Sequence, residues 1–325
     1  IFLMMFVRDD VMEELKLTDM FPDGWDNMTW DDMLRLTAEL QAQQLQFYLP
    51  VNDLGANALN PIFISLLYQY GGELYSSNNM ESGLKSEAAM NSFEFWTELY
   101  TNYSFPTSAS FVNRFRTGEM PIGISYYEMY NTLSVFAPEL KGKWSFHVIP
   151  GTPYTDADGN YLYDEETGKQ LIDHTATASG TGAVLMKQEV SDTVNGEVVI
   201  NEQGRAAWTF LKWWTNAETQ RQFGVEMEGI LGSAARHATA NVKALQQLAW
   251  PQEDLRMLLK QWSTVHEMPQ IAGSYITGRE MENAFREVIN NLYNARETLY
   301  EYSLLIDAEI NRKRSEFDLP LLKDQ

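Results

Sequence analysis

Cysteine is absent from this 325-residue sequence, which excludes disulfide bonds, thiolate metal sites, iron–sulfur clusters and cysteine nucleophiles. Apolar runs are short, and none approaches the ~20 residues that a membrane-spanning helix needs. Basic residues are few: 24 Lys and Arg face 45 Asp and Glu, for a net charge of −21. This balance argues against nucleic-acid partners and against docking on anionic membranes, because both need a basic surface.

Catalytic and cofactor-binding motifs are equally scarce. The four histidines, His147, His174, His237 and His266, lack the spacing of a metal site, and neither an HExxH nor a GxSxG motif occurs. Residues 180–182 are Gly-Thr-Gly, but they lack the lysine of a phosphate-binding loop and lead into a predicted strand. We therefore predict neither a metal nor an organic cofactor.

The composition fits a folded chain larger than one average domain. Hydrophobic residues make up 44% and aromatic residues 13% of the chain, enough for a packed core, and the length favours two lobes. The apolar run 1–7 predicts a fully buried strand. Charged residues follow this run at 8–10, whereas a signal peptide carries its charged residues before its apolar stretch. Because a domain seldom begins inside a buried strand, we expect that a more N-terminal part is missing.

Hydrophobic periodicity predicts a helix-rich α/β fold with few, widely separated strands. Further strands are predicted at 121–125, 144–149 and 183–186, the last of them buried. Apolar residues at helical spacing, with polar start signals and glycine stop signals, predict the helices. These helices are expected at 10–17, 29–40, 61–71, 89–100, 207–224, 240–250, 253–262, 277–292 and 294–314.

Capping signals predict where three of these helices start. Thr29 and Thr277 each precede a carboxylate by three residues, which is the spacing of a capping box. Asn294 precedes Glu297 by the same spacing and is a typical N-cap residue. The basic residues 312–314 fall in the last turn of the final helix, where cations suit the helix dipole.

The polar segment 154–174 contains turn signals at Asp158-Gly159 and Thr167-Gly168. A solvent-exposed hairpin is the simplest interpretation. Its first part, 154–165, partly matches a calcium-binding loop. A tyrosine stands at the first position, however, where the ion needs an oxygen from a short side chain.

An aromatic cluster follows the strand predicted at 121–125. It comprises Tyr126, Tyr127 and Tyr130, with Glu128 among them. Ligands of α/β sheets commonly bind where a strand ends and a helix begins. Sugars stack their apolar faces on aromatic rings, while carboxylates bind their hydroxyls. Ordinary core packing explains the same residues equally well.

Two further patterns allow more than one interpretation. Arg279 and Glu282 lie in the first turn of a predicted helix, where a ligand could meet free backbone N–H groups. A surface ion pair explains them equally well. The 45 acidic residues leave a glycosidase-like carboxylate pair open, although a solvated acidic surface is the simpler explanation.

Several short motifs follow one another along the chain: Met-Met-Phe-Val-Arg-Asp-Asp at 4–10, Met-Thr-Trp-Asp-Asp at 28–32, Tyr-Gly-Gly at 70–72, Phe-Arg-Thr-Gly-Glu-Met-Pro-Ile at 115–122, Val-Ile-Pro-Gly at 148–151, the glycine-rich 179–186, the helix 210–224, Met-Pro at 268–269 and Asn-Ala-Phe-Arg at 283–286. Their collinear order resembles the family 1 extracellular solute-binding proteins, which include the maltodextrin-binding proteins. The tail 274–317 is similar to the binding lipoproteins of Gram-positive carbohydrate importers.

The resemblance implies a type II periplasmic-binding-protein-like fold, in which two α/β lobes are joined by crossing strands and clamp a ligand between them. It also implies that the opening part of the first lobe is missing from this sequence. The implied division is 1–9 as a crossing strand, 10–177 as the first part of the second lobe, 178–250 as a crossing strand with the returning part of the first lobe, and 251–325 as the closing helices of the second lobe.

The function implied by the resemblance is that of a non-catalytic, monomeric substrate-binding component of an ABC importer. Its ligand would be an oligosaccharide or another polar solute, and its partners would be the permease subunits. Its location would be extracellular, as a membrane-anchored lipoprotein, or periplasmic. A glycoside hydrolase and a surface interaction module without a small ligand remain the alternatives.

Ligand-contacting positions of the maltodextrin-binding relatives map onto eight residues. Two of the family's stacking tryptophans are replaced here, one by Tyr127 or Glu128 and the other by Glu282, so maltodextrin specificity is not implied. We also predict that Tyr127 and Arg279 face one shared groove. The eight expected ligand-binding residues are Asn60, Phe63, Tyr126, Tyr127, Glu128, Tyr130, Arg279 and Glu282.

Overall fold

The fold is built around a four-stranded sheet with the order β2-β3-β1-β4. The structure is a computed structural model, and it describes residues 1–49, 51, 59–186, 191–195 and 197–321. The first strand pairs antiparallel with both of its neighbours, and β2 pairs parallel with β3. These four strands are β1 (Leu3–Val7), β2 (Phe47–Tyr48), β3 (Ile122–Tyr126) and β4 (Ser145–His147).

Within the described residues, the remaining strands form three two-stranded sheets. They are β5 (Thr152–Pro153) with β6 (Ile172–Asp173), β7 (Ala176–Ala178) with β10 (Val265–Glu267), and β8 (Ser191–Val194) with β9 (Glu197–Ile200).

Helices account for most of the regular structure. Over the part of the chain that the structure describes, no helix has the length and hydrophobicity needed to cross a membrane. The helices are α1 (Asp9–Glu14), α2 (Trp30–Ala42), α3 (Pro61–Gln69), α4 (Glu87–Thr101), α5 (Phe111–Thr117), α6 (Met129–Phe136), α7 (Glu202–Thr215), α8 (Ala217–Leu231), α9 (Val242–Leu245), α10 (Gln252–Trp262), α11 (Thr277–Asn291) and α12 (Ala295–Glu316).

The strand β1 separates two hydrophobic cores. Its residues Leu3, Met5 and Val7 belong to the larger core, which also contains residues of α2, α3, α4, α11 and α12. Met4 and Phe6 belong to a second core with residues of α5, α6 and α10. Because successive side chains of a strand point to opposite faces, a continuous apolar run is what a strand covered on both faces requires. The buried strand predicted at 1–7 is confirmed.

Two of the three predicted helix starts are confirmed. The Thr29 hydroxyl accepts from the backbone N–H three residues later, whose carboxylate in turn accepts from the Thr29 N–H, and Asn294 caps α12. The capping box at Thr277 is wrong. A 3₁₀ turn, Ser274–Ile276, leads directly into α11, so Thr277 already lies inside the helix. Its hydroxyl instead hydrogen-bonds the Tyr75 hydroxyl at 2.8 Å.

Three predictions in the segment 183–250 are wrong. Residues 183–186 form no strand and are largely exposed, with Val184 79% accessible. The helix predicted at 207–224 is two helices, because Asn216 ends α7 and its side chain caps α8 by accepting from Thr219 N. The helix predicted at 240–250 is reduced to the single turn of α9. Apolar spacing alone could not locate these breaks, which depend on local side-chain caps and on available strand partners.

The polar segment 154–174 is a hairpin, as predicted. Its base is the β5–β6 pair, and isolated bridges continue the pairing inward. The Asp156 carboxylate accepts from the backbone N–H groups of Asp158 and Asn160, both at 2.9 Å. These bonds close the turn that resembled a calcium loop. Over the described residues, no three His, Asp or Glu side chains are grouped to hold a metal ion.

The helices α7 and α8 leave large apolar side chains on the surface. Trp208, Phe210 and Trp213 are each more than half exposed, and the rings of Phe210 and Trp213 lie 5.5 Å apart. Ile230 and Leu231, at the end of α8, are also exposed. Apolar surface of this kind promotes association with other apolar molecules.

We expect this face to bind a hydrophobic dye. Replacing Trp208 and Trp213 together by Gln should lower the fluorescence of bound anilinonaphthalene sulfonate at least about twofold. The control replaces Tyr161 and Tyr163, which are equally exposed on the hairpin, by Gln. If both double variants lower dye binding equally, the effect does not come from the α7–α8 face.

Candidate ligand-binding groove

An open groove of about 760 Å³ lies beside the N-terminal end of β1. One wall is formed by the end of α7, by α8 and by the segment 237–241. The other contains the β3–α6 junction, Trp262 at the end of α10, and β10. The segment 178–183 runs along the groove between them. The groove is therefore assembled from parts of the chain that are far apart in sequence.

Four neighbouring chain segments form the floor of the groove. The Tyr127 N–H donates to the Phe2 carbonyl at 3.0 Å, and Phe2 forms an antiparallel bridge with Ala178. Ala178 in turn pairs with Glu267 in the β7–β10 ladder. Since neighbouring strands lie ~4.8 Å apart, this places the backbones of Tyr127 and Glu267 at opposite sides of the floor, roughly 14 Å apart.

Aromatic rings supply the apolar surface of the groove. Trp262 is half-buried, with its ring 5.4 Å from that of Phe2, and Trp214 is half-buried, with its ring 5.1 Å from Phe223. Tyr127 lines the groove but is only 3% exposed, and burial raises the pKa of its hydroxyl. The two tryptophans are therefore better placed than Tyr127 to stack on a ligand.

Gln220 organises the polar wall. It is 6% exposed, and its Nε2 donates to the Trp214 carbonyl at 2.8 Å. Its Oε1 accepts from the Thr239 hydroxyl at 2.8 Å and lies 2.9 Å from His237 Nε2. Burial lowers the pKa of His237, which favours the neutral ring with its proton on Nε2. Through these bonds one amide fixes the positions of α7, α8 and the segment 237–241.

Carboxylates dominate the charge of the groove. Glu128 and Glu267 line it on opposite sides, and the lining residues that the structure describes include no Lys or Arg.

Of the eight predicted ligand-binding residues, Tyr127 and Glu128 line the groove. Asn60 and Phe63 lie at the start of α3, and each has a structural role. The Asn60 side chain accepts from the N–H groups of Ile62 and Phe63, and Phe63 is buried in the larger core with its ring 5.6 Å from Trp96.

Tyr126 and Tyr130 flank the groove residues without lining the groove. Tyr126 ends β3, where it pairs with Leu3 and packs against the larger core. The Tyr130 hydroxyl donates to Asp254 at 2.6 Å, and its ring lies 4.9 Å from that of Trp250. Core packing therefore accounts for Tyr130, the explanation that the sequence left open for the whole cluster.

Arg279 and Glu282 lie on α11 and are not among the described residues that line the groove. Arg279 pairs with Glu280 at 2.9 Å, and Glu282 pairs with Arg286. The described lining of this groove includes Tyr127 but not Arg279, and a groove shared by the two side chains stays a prediction. The helix α11 packs against α4 and α12 in the larger core, whereas Tyr127 belongs to the second core.

Sequence reasoning missed five residues that define the groove: Trp214, Gln220, Asn241, Trp262 and Glu267. The positions of Trp214 and Trp262, at or near the ends of α7 and α10, could have indicated a ligand contact. Their helical spacing, however, also fits residues of the core. Gln220 and Asn241 had no such signal, since their partners become neighbours only in the folded chain.

Comparison with known proteins gives a family and a fold. Residues 2–249 match the model of the bacterial extracellular solute-binding protein family. No curated protein sequence was found with significant similarity to the chain. Many solved structures are similar, at low sequence identity.

Three of these structures illustrate the likeness. A sugar-binding protein, MalE, from Xanthomonas citri has a TM-score of 0.63 at 14% identity, over 98% of this chain and 71% of that one. The cyclic α-maltosyl-1,6-maltose binding protein of Arthrobacter globiformis has a TM-score of 0.64 at 14% identity, over 96% and 70%. A solute-binding protein of an ABC transporter from Thermotoga lettingae, bound to α-D-tagatose, has a TM-score of 0.62 at 12% identity, over 95% and 70%.

These likenesses show the type II periplasmic-binding-protein-like fold that the motifs implied, and the family match covers most of the chain. The chain belongs to the bacterial extracellular solute-binding proteins.

Proposed function

We propose that the chain is the substrate-binding component of an ABC importer and that it captures a carbohydrate in the groove. The observation that carries the proposal is the pairing of two half-buried tryptophans, Trp214 and Trp262, with fixed polar groups in one open groove. Sugars need apolar ring faces for stacking and positioned hydrogen-bonding groups for their hydroxyls. The sugars named with the structural neighbours support the same class of ligand.

We propose that the ligand is held between two lobes that close on it. The lobe boundaries are those implied by the resemblance: 1–9 and the start of 178–250 cross between lobes, 10–177 and 251–325 form the second lobe, and the rest of 178–250 belongs to the first. The location of the groove supports this division, because Trp214 comes from 178–250 and Trp262 from 251–325. Ligand contacts on both sides would select the closed state.

The proposed protein releases its solute chemically unaltered, to the permease subunits of the importer. Membership of a solute-binding family supports this role over that of a glycoside hydrolase. The family description also supports a location outside the cytoplasmic membrane. We propose a monomer that is anchored as a lipoprotein or held in the periplasm.

The proposal is tested by calorimetric titration with neutral oligosaccharides, with thermal stabilisation as a second readout. The panel contains the α-1,4- and β-1,4-linked glucose trisaccharides maltotriose and cellotriose, α-D-tagatose, and a dipeptide as the non-sugar comparison. Binding of at least one sugar, with a raised midpoint of unfolding, is the expected result. Binding of none of the sugars contradicts a carbohydrate function.

Replacing Trp262 by Ala should weaken sugar binding about 10- to 100-fold, since loss of an aromatic platform typically costs ~1–3 kcal/mol. The matched control is Trp208→Ala, because Trp208 is a half-exposed tryptophan that does not line the groove. Equal losses in the two variants would place the binding site elsewhere. Arg279→Ala, measured in the same assay, tests whether the contacts predicted on α11 reach the ligand.

A further inference from the structure

We propose that Glu128 and Glu267 make the groove selective for the charge of its ligand, so that it favours amino sugars, accepts neutral sugars and rejects uronates. This inference rests on the proposed function and adds the class of sugar. It starts from the positions of the two carboxylates, which stand on opposite sides of the same floor.

The backbone pairing of the segments in the groove floor fixes the distance between the two carboxylate-bearing residues. Glu128 directly follows Tyr127, which bonds to Phe2, and Glu267 pairs with Ala178 on the far side of Phe2. A span of roughly 14 Å between the outer backbones is comparable to the length of two or three sugar rings. A ligand that stacks on Trp262 therefore lies between the two negative charges, and a charge on either end of it meets a carboxylate.

The other groups of the groove do not cancel these charges. Burial lowers the pKa of His237, which disfavours a positive charge on its ring. The whole chain carries a net charge of −21, which adds a long-range field of the same sign. An anionic sugar would enter this groove against that field and would find no Lys or Arg among those lining residues that the structure describes.

The test compares trisaccharides of the same ring number and linkage that carry a positive, a negative or no charge. Trisaccharides of glucose, glucosamine and glucuronic acid, each in the α-1,4- and the β-1,4-linked form, are titrated at pH 6.5 and 20 mM salt. We expect the glucosamine trisaccharide to bind at least about tenfold more tightly than the glucuronic acid trisaccharide, with the neutral sugar between them. At 0.5 M salt the ratio should shrink severalfold, because exposed charges are screened.

The double variant Glu128→Gln/Glu267→Gln should reduce the ratio to about twofold or less. Its control, Glu165→Gln/Glu301→Gln, changes the net charge equally at two exposed sites outside the groove and should preserve the ratio.

The outcomes separate the inference from the proposed function. If the neutral trisaccharides bind and the charged ones bind equally well, the charge selectivity is wrong and the carbohydrate function stands. Tighter binding of the glucuronic acid trisaccharide overturns the inference in the same way. If none of the trisaccharides binds, and the sugars of the first panel also fail, both proposals fall.

Discussion

Lowering the pH from 7 to 4 should cost the folded chain about 3 kcal/mol of stability through His174 alone. This side chain is 8% exposed, and burial lowers its pKa from 6.5 to about 4, despite the opposing effect of its hydrogen bond to Ile149. Its Nδ1 lies 2.7 Å from the Ile149 carbonyl oxygen. Nδ1 must therefore carry a proton, which the neutral ring supplies.

The sign follows from where the proton binds. Between pH 6.5 and 4 the unfolded chain protonates this histidine, whereas the folded chain keeps it neutral. The unfolded state then binds more protons, so the free energy of unfolding falls as the pH falls through this window. Above pH 6.5 both states are neutral at this position, and the contribution is complete.

The measurement is urea unfolding at pH 7, 5.5 and 4 for the natural chain and for His174→Asn. The asparagine amide can donate at the position of Nδ1 but does not titrate in this range. We expect the variant to lose markedly less stability between pH 7 and 4 than the natural chain. Other titrating groups, such as the half-buried carboxyl of Asp9, whose pKa is raised by burial, affect both proteins alike. An unchanged pH dependence in the variant would exclude His174 as its source.

Most of the fold could be predicted because its signals are local. The uninterrupted apolar run of β1 indicates a strand covered on both faces. Thr29 and Asn294 mark helix starts because their caps use atoms within three residues. The order of the motifs along the chain indicated the family, and the match of residues 2–249 to the family model confirms it.

The candidate site was largely hidden because its contacts are not local. Three buried glutamines, Gln69, Gln220 and Gln261, connect distant segments through their side chains. Glutamine is usually exposed, so no spacing rule selects the few that are buried. The Phe2–Ala178 bridge, which joins the two halves of the groove floor, is equally invisible in a sequence. It pairs residues that lie far apart in the chain.

Of these buried glutamines, Gln261 should be the most sensitive to replacement. Its replacement by Leu should destabilise the protein by about 2–5 kcal/mol. This side chain is fully buried. Its Oε1 accepts from Ile149 N–H and its Nε2 donates to the His174 carbonyl, both at 2.8 Å. Leucine fills similar volume but leaves the donor and the acceptor buried without these partners, and each such loss costs ~1–3 kcal/mol. Urea unfolding at pH 7 measures the change. The control is Gln252→Leu, which changes an exposed residue of the same helix and should alter stability by less than ~0.5 kcal/mol.

The bonds of Gln261 and His174 form one closed set with Ile149, so the two replacements should not be additive. Ile149 donates to Gln261 and accepts from His174, and His174 accepts from Gln261. Once leucine replaces Gln261, the His174 carbonyl loses the hydrogen bond from the glutamine amide. The His174 ring is then held less firmly against the Ile149 carbonyl. The double variant His174→Asn/Gln261→Leu should therefore be less destabilised than the sum of the single variants, with a coupling of ~0.5–3 kcal/mol.

The next residue, Trp262, lines the groove, so Gln261→Leu should also weaken sugar binding at temperatures where the chain remains folded. Additive stabilities would show that the three residues act as separate contacts, and unchanged sugar binding would show that this set of bonds does not position the groove.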